Sequence, residues 1–470
     1  MISLTPVLND SITTPLYIQL YTYIKEAILR DDIMPGDKLP SLRELSKTLS
    51  LSLTTVELAY NQLIVEGYIN SRPQSGYYVN SIAFETKKVS AAADHSFENL
   101  LPQPVSADVN HGRDLYYDPS SFNFAKWKKC ANKIFNEYSH LLMEEGNPRG
   151  EPPLRHEISK YIYQARGVRC NWEQVVIGAG TQQLINLLCI ILHRMSIEHV
   201  TFENPGYLPV RGIFKDREFK ITGVPVDKDG IQIEKLPTNI KSTVYVSPSN
   251  QFPTGSVMSV ARRYALLDWA FQNDSIIIED DYNSELRYYG RPVPSLQGLD
   301  DKGQVVYLGS FSSTLFSSIK ISYMVLPAPM HELFEEVLKG YTQTCSKAEQ
   351  LTLSLYMEKG YYQTNLKKLR KLYTQKIVLA TSVINKYGRD LIKILNNSSG
   401  LHMLLQLNGH ASEKSTDKIC TAARNAGLIV SPVYNYHDDE ESSVIIFYYT
   451  RIPIENMEQA VITLINIIAE

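Results

Sequence analysis

Cysteine is scarce, with Cys130, Cys170, Cys189, Cys345 and Cys420 the only five in 470 residues. They are widely spaced, odd in number and form no CxxC pair. That excludes a disulfide framework and a zinc knuckle, and predicts scattered buried thiols. No apolar run approaches the roughly 20 residues that a bilayer-spanning helix needs. The stretch Met1 to Asp10 has no basic region followed by an apolar core, so neither a signal peptide nor a membrane partner is expected, and the expected location is cytoplasmic. Net charge is also nearly absent, with 47 Lys and Arg against 50 Asp and Glu. A nucleic-acid function would therefore have to come from a local surface rather than from the whole chain. What remains is a globular composition, 44% hydrophobic and 21% charged, in a chain long enough for two to four domains at roughly 100–200 residues each.

No internal repeat is visible. The composition breaks near Asn80, and residues 81–110 are small, polar and proline-containing without sustained periodicity. They read as a linker. The expected organisation is a small domain over 1–80, a linker over 81–110 and a large domain over 111–470.

In the small domain, Leu16, Leu20, Ile24 and Ile28 recur every four residues and predict a helix that starts after Pro15. Met34-Pro35-Gly36-Asp37 turns the chain. Ser41 and Glu44 have capping-box spacing at the start of a second helix, with Leu42, Leu45 and Leu49 on its buried side. A third helix runs from about Thr54, with Val56, Ala59, Tyr60 and Leu63 inward and Gly67 as its stop. Two strand-like pieces, 68–72 and 77–80, flank a turn at 73–76. Three helices and a hairpin make a winged helix-turn-helix. The third helix is free to enter a major groove, and Ser41, Thr54 and Thr55 with Arg43 and Gly76 are the candidate DNA contacts. The same elements also suit a protein-interaction module, and residues 1–80 hold six Lys and Arg against eight Asp and Glu.

The run Pro35-Gly36-Asp37-Lys38-Leu39-Pro40-Ser41-Leu42-Arg43-Glu44-Leu45, with Pro15-Leu16-Tyr17, Thr55-Val56, Ala59-Tyr60, Glu66-Gly67-Tyr68 and Gly76-Tyr77-Tyr78-Val79, resembles the GntR-type winged helix over most of 12–80. One position departs: Leu53 stands where the resemblance places a DNA-contacting arginine.

The large domain alternates strand-like runs at 175–177, 200–202, 243–246, 275–278, 305–308 and 321–326 with helical stretches such as 182–192 and 261–271. This pattern predicts a mainly parallel sheet covered on both faces, with ligands bound beyond the carboxyl ends of the strands. The loops there are Gly178-Ala179-Gly180-Thr181-Gln182, able to cup a phosphate or simply to make a tight turn; Glu203 to Tyr207, with an aromatic face; Ser247 to Gly255, polar; Glu279-Asp280-Asp281-Tyr282, whose carboxylates need something cationic beside them; and Ser310-Phe311-Ser312-Ser313-Thr314, with Lys320 read on the following strand. A metal site is expected nowhere, because no histidine cluster accompanies the acids.

These loops, with Gly146-Asn147-Pro148-Arg149-Gly150, Leu154-Arg155, Arg166-Gly167-Val168 and Gly400-Leu401-His402-Met403, resemble a fold-type I aminotransferase. A GntR-type winged helix linked to such a fold is the layout of the MocR/GabR family of transcriptional regulators. The fold class expected is α/β, an N-terminal winged helix-turn-helix plus an aminotransferase-like domain with a mainly parallel sheet. The resemblance implies pyridoxal 5'-phosphate (PLP) as the cofactor, with Gly180, Thr181, Gln182, Ser310 and Ser312 at its phosphate and Tyr207 stacked on its ring. It further implies Asp280 at the ring nitrogen, Tyr282 at the ring hydroxyl with Asn250 or Gln251 beside it, and Lys320 where the family has a phosphate-binding arginine. It implies double-stranded operator DNA and a small-molecule effector as partners, and a homodimer.

The resemblance fails at Ser313, which occupies the place of the lysine that would hold the cofactor covalently. A hydroxyl forms no imine with an aldehyde and is no base for the proton shift of transamination. Ile446 likewise aligns where family members often have an arginine for a substrate carboxylate. The expected function is a regulator that senses PLP or an amino-acid-related ligand without covalent capture and without catalysis. The rivals are an active aminotransferase, an engineered lysine-to-serine variant of a PLP-binding regulator, and a scaffold that binds neither PLP nor DNA.

Overall fold

The computed structural model describes residues 4, 6, 8–9, 14–73, 75–80, 121–288, 293–396, 400–433 and 443–470. Contacts divide the chain into two units, Met1–Gln103 and Pro104–Glu470. The expected linker, 81–110, lies outside the described residues.

The first unit holds α1 (Leu16–Leu29), α2 (Leu42–Leu49) and α3 (Leu53–Val65), then an antiparallel hairpin of β1 (Ile69–Arg72) and β2 (Gly76–Val79). Leu20, Ile24 and Ile28 of α1 are buried, as the four-residue spacing requires. The capping box at Ser41 and Glu44 is formed in both directions. Only Leu45 of the three α2 leucines is fully buried; Leu42 and Leu49 are half-buried on the rim of the same core. The third helix begins one residue earlier than expected, because the Ser52 hydroxyl accepts the Thr55 N–H at 3.0 Å and caps it. Between α2 and α3, Ser50 takes the left-handed conformation and Ser46 donates to the Leu51 carbonyl at 2.6 Å. Tyr60 joins the parts: it is fully buried, donates to the Pro40 carbonyl at 3.0 Å and meets Tyr77 of the hairpin edge-to-face at 4.9 Å.

In the second unit, the described strands of the main sheet are β3 (Val175–Gly178), β4 (His199–Asn204), β5 (Lys220–Asp227), β6 (Gly230–Ile231), β7 (Thr243–Val246), β8 (Ile276–Asp280), β9 (Val305–Ser310) and β10 (Ser322–Val325). Their order is β3-β10-β9-β8-β7-β4-β5-β6. The pairs β9-β8, β8-β7, β7-β4 and β4-β5 are parallel, whereas β10 runs antiparallel to both its neighbours and β6 antiparallel to β5. Strands β3, β7, β8 and β10 are buried at every residue, the mark of a sheet covered on both faces. Helices α4 (Pro152–Arg166), α5 (Thr181–Arg194), α6 (Leu208–Asp216) and α7 (Val260–Gln272) connect and cover them. Beyond the long helix α8 (Tyr361–Tyr387), a four-stranded antiparallel sheet forms from β11 (Ile392–Asn396), β12 (Met403–Leu407), β13 (Val430–Pro432) and β14 (Val444–Phe447). It packs with α8 and the final helix α9 (Met457–Ala469) around its own core of Ile377, Leu405, Phe447 and Val461.

One expected placement is corrected. Lys320 is not on a strand. It follows a short 3-10 turn, Ser317–Ile319, with φ of 45°, and the strand starts two residues later at Ser322. The left-handed backbone at Lys320 breaks strand pairing, so the apolar Ile321 to Leu326 run begins to pair only after the chain has turned.

Replacing Tyr60 by Phe strands the buried Pro40 carbonyl and is expected to lower the opening free energy of α3 by about 1–3 kcal/mol. Hydrogen exchange of the α3 amides in the full-length protein measures it; unchanged protection would show that the bond contributes nothing.

Candidate functional site

The carboxyl ends of the parallel strands carry an unusual load of acid. Glu203, Glu279, Asp280 and Asp281 are all buried. Three of them have partners that explain their burial. Asp281 pairs with Arg166 at 2.7 Å, both side chains at most 5% exposed, and also accepts from the Tyr307 and Ser284 hydroxyls. Burial pushes its pKa up, and the Arg166 charge with these hydrogen bonds more than reverses that, leaving it below the ordinary value. Glu279 accepts the N–H groups of Leu296 and Gln297 at 2.8 and 2.9 Å, with the buried guanidinium of Arg263 at 3.8 Å. Glu203 accepts the Ser247 N–H at 3.1 Å, and burial lifts its pKa to about 8, so it carries its proton at neutral pH.

Asp280 differs. No cationic side chain among the described residues pairs with it; its partner is the Tyr245 hydroxyl, which donates to Oδ2. Burial raises its pKa, the Tyr245 bond lowers it and the neighbouring Asp281 raises it again, for a result of about 6. Next to it Tyr282 keeps a buried hydroxyl that has no hydrogen-bond partner among the described residues. An acid without a cation and a phenol without a partner, side by side, fit a ligand that brings a protonated ring nitrogen and a hydroxyl.

The remaining candidates lie along the same edge. Ser322, at the start of β10, is the register partner of both Gly178 on β3 and Ser310 on β9. Its hydroxyl donates to Ser310 Oγ at 2.9 Å, and the Ser312 N–H reaches Ser310 Oγ at 3.3 Å. That register brings the Gly178–Gln182 turn and the Ser310–Ser313 loop to adjacent strand ends. Gly180 has φ of 91° at the start of α5, a backbone that side-chain-bearing residues rarely adopt, so the first α5 N–H groups are presented past a bare Cα. Lys320, exposed, sits two residues before Ser322 at this end. Ser313 is half-buried in the loop after β9. Asp280 stands one strand over, at the usual spacing of about 4.8 Å per strand. Across it, after β7 and β4, come Asn250, buried beside Gly400, and Tyr207, 40% exposed, whose ring meets Phe252 at 6.0 Å. Phe252 also meets Tyr282 at 6.5 Å and His402 at 5.3 Å. Gln251 ties the two loops together by donating to the Pro205 carbonyl at 2.7 Å. Gly180, Thr181, Gln182, Tyr207, Asn250, Asp280, Tyr282, Ser310, Ser312 and Lys320 thus share one strand-end edge. No group of three or more His, Cys, Asp or Glu among the described residues is arranged to hold a metal ion.

Sequence reasoning missed Tyr245 and Arg263, and it read Arg166 only as part of a motif. Their acidic partners lie 35, 16 and 115 residues away along the chain. The available signal was a phenol inside the apolar strand Thr243–Val246 and an arginine on the inward face of α7.

In the first unit, Ser41 and Arg43 are exposed at the start of α2, and Thr54 is exposed in the first turn of α3. Thr55 is half-buried, with its hydroxyl 2.7 Å from that of Ser52. Leu53 is 45% exposed beside them. Gly76 has φ of 111° at the hairpin turn, where a Cβ would meet Lys38 Cε at 3.1 Å. Two exposed cations unforeseen from sequence gather there: Arg72 at 4.4 Å and Lys38 at 5.8 Å from the ring of Tyr78.

Comparison with known proteins gives a consistent result. Residues 16–79 match the family of bacterial regulatory proteins of the gntR type, and residues 114–461 match aminotransferase class I and II. The chain is 39% identical over 445 residues to the HTH-type transcriptional regulator YdeL of Bacillus subtilis, covering 92% of this chain and 93% of that one. It is 28% identical to the HTH-type pyridoxine biosynthesis transcriptional regulator PdxR of Corynebacterium glutamicum, over 91% of this chain and 90% of the other. It is also 28% identical to the "Probable rhizopine catabolism regulatory protein MocR" of Rhizobium meliloti, over 94% and 92%. Among solved structures, the fold matches the multiple substrate aminotransferase of Thermococcus profundus with a TM-score of 0.66 at 24% identity, over 76% of this chain and 90% of that one. No helix among the described residues is long and apolar enough to cross a membrane.

Removing the Arg166 charge, as in Arg166→Met, leaves Asp281 buried and unpaired, and is expected to cost about 3–5 kcal/mol at neutral pH. A carboxyl with a depressed folded pKa stabilises above its unfolded value and loses that contribution as pH falls through the folded one. In the variant, with the Arg166 charge gone, burial raises the Asp281 carboxyl. The deficit should begin to shrink as the pH falls through that raised value, and go on shrinking until the native carboxyl is protonated as well. Denaturant titrations of both proteins at several pH values measure this; a deficit independent of pH would contradict it.

Proposed function

The chain belongs to the aminotransferase class I and II family and carries a gntR-type regulatory module, a DNA-binding transcriptional regulator with an aminotransferase-like domain, and from this premise we propose that its second unit is a non-covalent, non-catalytic receptor for PLP or an amine adduct of it. The observation that carries the reading is Asp280, a buried acid that no described cation pairs, beside the unpartnered hydroxyl of Tyr282. The coenzyme, when bound, supplies a protonated pyridine nitrogen, a ring hydroxyl and a phosphate. Asp280 would take the nitrogen and Tyr282 the hydroxyl. Gly180, Thr181, Gln182, Ser310 and Ser312 would bind the phosphate, with Lys320 adding charge. Tyr207 would cover the ring, and Asn250 would close its edge. Ser313 offers no amine, so the ligand enters and leaves without a covalent bond.

On this reading the chain acts as a homodimer, with domains over 1–80 and 111–470 joined by the segment 81–110. The pair of winged helices would bind two half-sites on operator DNA through Ser41, Arg43, Thr54, Thr55 and the hairpin at Gly76. Ligand binding would change operator affinity only through a difference in affinity for two states of the dimer. That a relative is named for pyridoxine biosynthesis supports a vitamin-related effector.

Calorimetry with PLP is expected to show saturable binding, with no chromophore that borohydride fixes to the protein. Ser313→Lys should then yield a coloured, borohydride-fixable complex; a variant that folds and stays colourless would overturn the assigned place of Ser313. A fixable complex in the native protein would restore the enzyme reading. Because the free carboxyl of Asp280 has its pKa raised to about 6, it is protonated below that pH and cannot pair with the ring cation. Affinity should hold above pH 6 and fall by up to about tenfold per unit below it.

Gel shifts with the DNA upstream of the chain's own gene, at stated salt, test the other unit. Binding that weakens in Arg43→Ala by about 1–3 kcal/mol is expected, and no binding even at low salt would contradict the regulator reading.

A further inference from the structure

We propose that Tyr245 is the positioning residue for Asp280: its hydroxyl, donated to Oδ2, holds that carboxylate ionised and in one orientation, leaving Oδ1 to meet the ring nitrogen of the ligand. The inference rests on the PLP reading above and names a group which that reading does not require.

The argument starts from where a phenol stands in the sheet. All four residues of β7 are buried, and Tyr245 is the phenol among two Val and one Thr. Its register partner on β8 is Ile278, so Asp280 lies two residues further toward the carboxyl end on the same face. That diagonal is within reach of a side chain as long as tyrosine. On the other side, Phe202 of β4 is the register partner of Tyr245 and packs tilted against it at 5.5 Å. The ring is thereby fixed from one flank, and its hydroxyl is delivered to the strand ends. A buried phenol needs a hydrogen-bond partner, and Asp280 Oδ2 is the one it has.

The electrostatics agree with the geometry. The groups that face Asp280 are Tyr245 from β7, Glu203 from β4, and Asp281 and Tyr282 from its own strand end, with Tyr207 from the loop after β4 acting on Tyr245 and Tyr282. Arg166 is engaged by Asp281. Burial raises Asp280 first, and Asp281 raises it further, while the bond from Tyr245 lowers it. Burial and the Asp280 charge hold the Tyr245 hydroxyl well above its ordinary pKa, so it remains a donor at every working pH. Without it, Asp280 would be a buried carboxyl beside other acids with nothing among the described residues to favour its ionised form.

Tyr245→Phe removes the donor and keeps the ring against Phe202. The affinity of native and variant protein for PLP is to be measured by calorimetry from pH 5 to 8. The titrations of the ligand itself are common to both proteins and cancel. The pH at which affinity begins to fall is expected to move up by roughly one unit in the variant, about a fivefold loss relative to native at pH 6 and approaching tenfold at pH 5. A carbocyclic analogue, with C–H in place of the ring nitrogen, should bind both proteins alike. Equal pH profiles for PLP, or an equal weakening of PLP and the analogue as a merely structural role would give, overturns the inference and leaves the receptor reading standing. Absence of PLP binding by the native protein overturns both.

Discussion

Four carboxyl groups are buried toward the carboxyl ends of two parallel strands, β4 and β8, that flank β7, and much of the large unit is arranged to make that tolerable. Burying a charge without a partner costs several kcal/mol. The chain meets that cost in three different ways. It gives Asp281 a guanidinium from α4, it gives Glu279 two backbone N–H groups and the outlying Arg263, and it keeps Glu203 protonated. Asp280 keeps its ionisable oxygens for a neutral hydroxyl, with no cation among the described residues beside it. A fold that neutralises three acids within its own residues and leaves the central one to a phenol has placed a negative charge where a cation from outside can reach it.

The same groups also fix the loops around that charge. Arg263, fully buried, donates to the carbonyls of Met258 and Pro248 and so closes the loop after β7 on itself. Arg166 reaches the hydroxyl of Ser249 and the carbonyl of Val293 while it pairs Asp281. Gln251 bridges to Pro205, which sets the segment carrying Tyr207. Acid compensation and loop geometry are therefore one system. The residues that make the acids stable are those that hold the aromatic and polar faces of the site in place.

Much of this was legible in the sequence, and the rest was not for a definite reason. The signals that worked were local. The four-residue apolar spacing of α1, the Ser41–Glu44 capping box and the alternation of apolar strands with helices each need only a short window. Apolar runs such as Val175–Ile177 and Thr243–Val246 located the strands to within a residue or two. The loops after them then pointed to Asp280, Tyr282 and the Ser310–Ser313 run. Lys320 was misplaced because an apolar run from Ile321 cannot reveal the left-handed turn before it. The long-range pairs were invisible: Arg166 with Asp281, Arg263 with Glu279 and Tyr245 with Asp280 depend on strand order and register. The prediction that the carboxylates need a cation was sound chemistry, yet it could not say that the cation belongs to Asp281 and not to Asp280.

The central claim is that Asp280 waits for a ring cation. Nitrogen NMR of bound PLP, labelled at the ring nitrogen, tests it most directly, at a pH where the free coenzyme ring is neutral. The native protein should hold the nitrogen protonated, and Asp280→Asn should leave it unprotonated. An unprotonated nitrogen in the native complex would contradict the account.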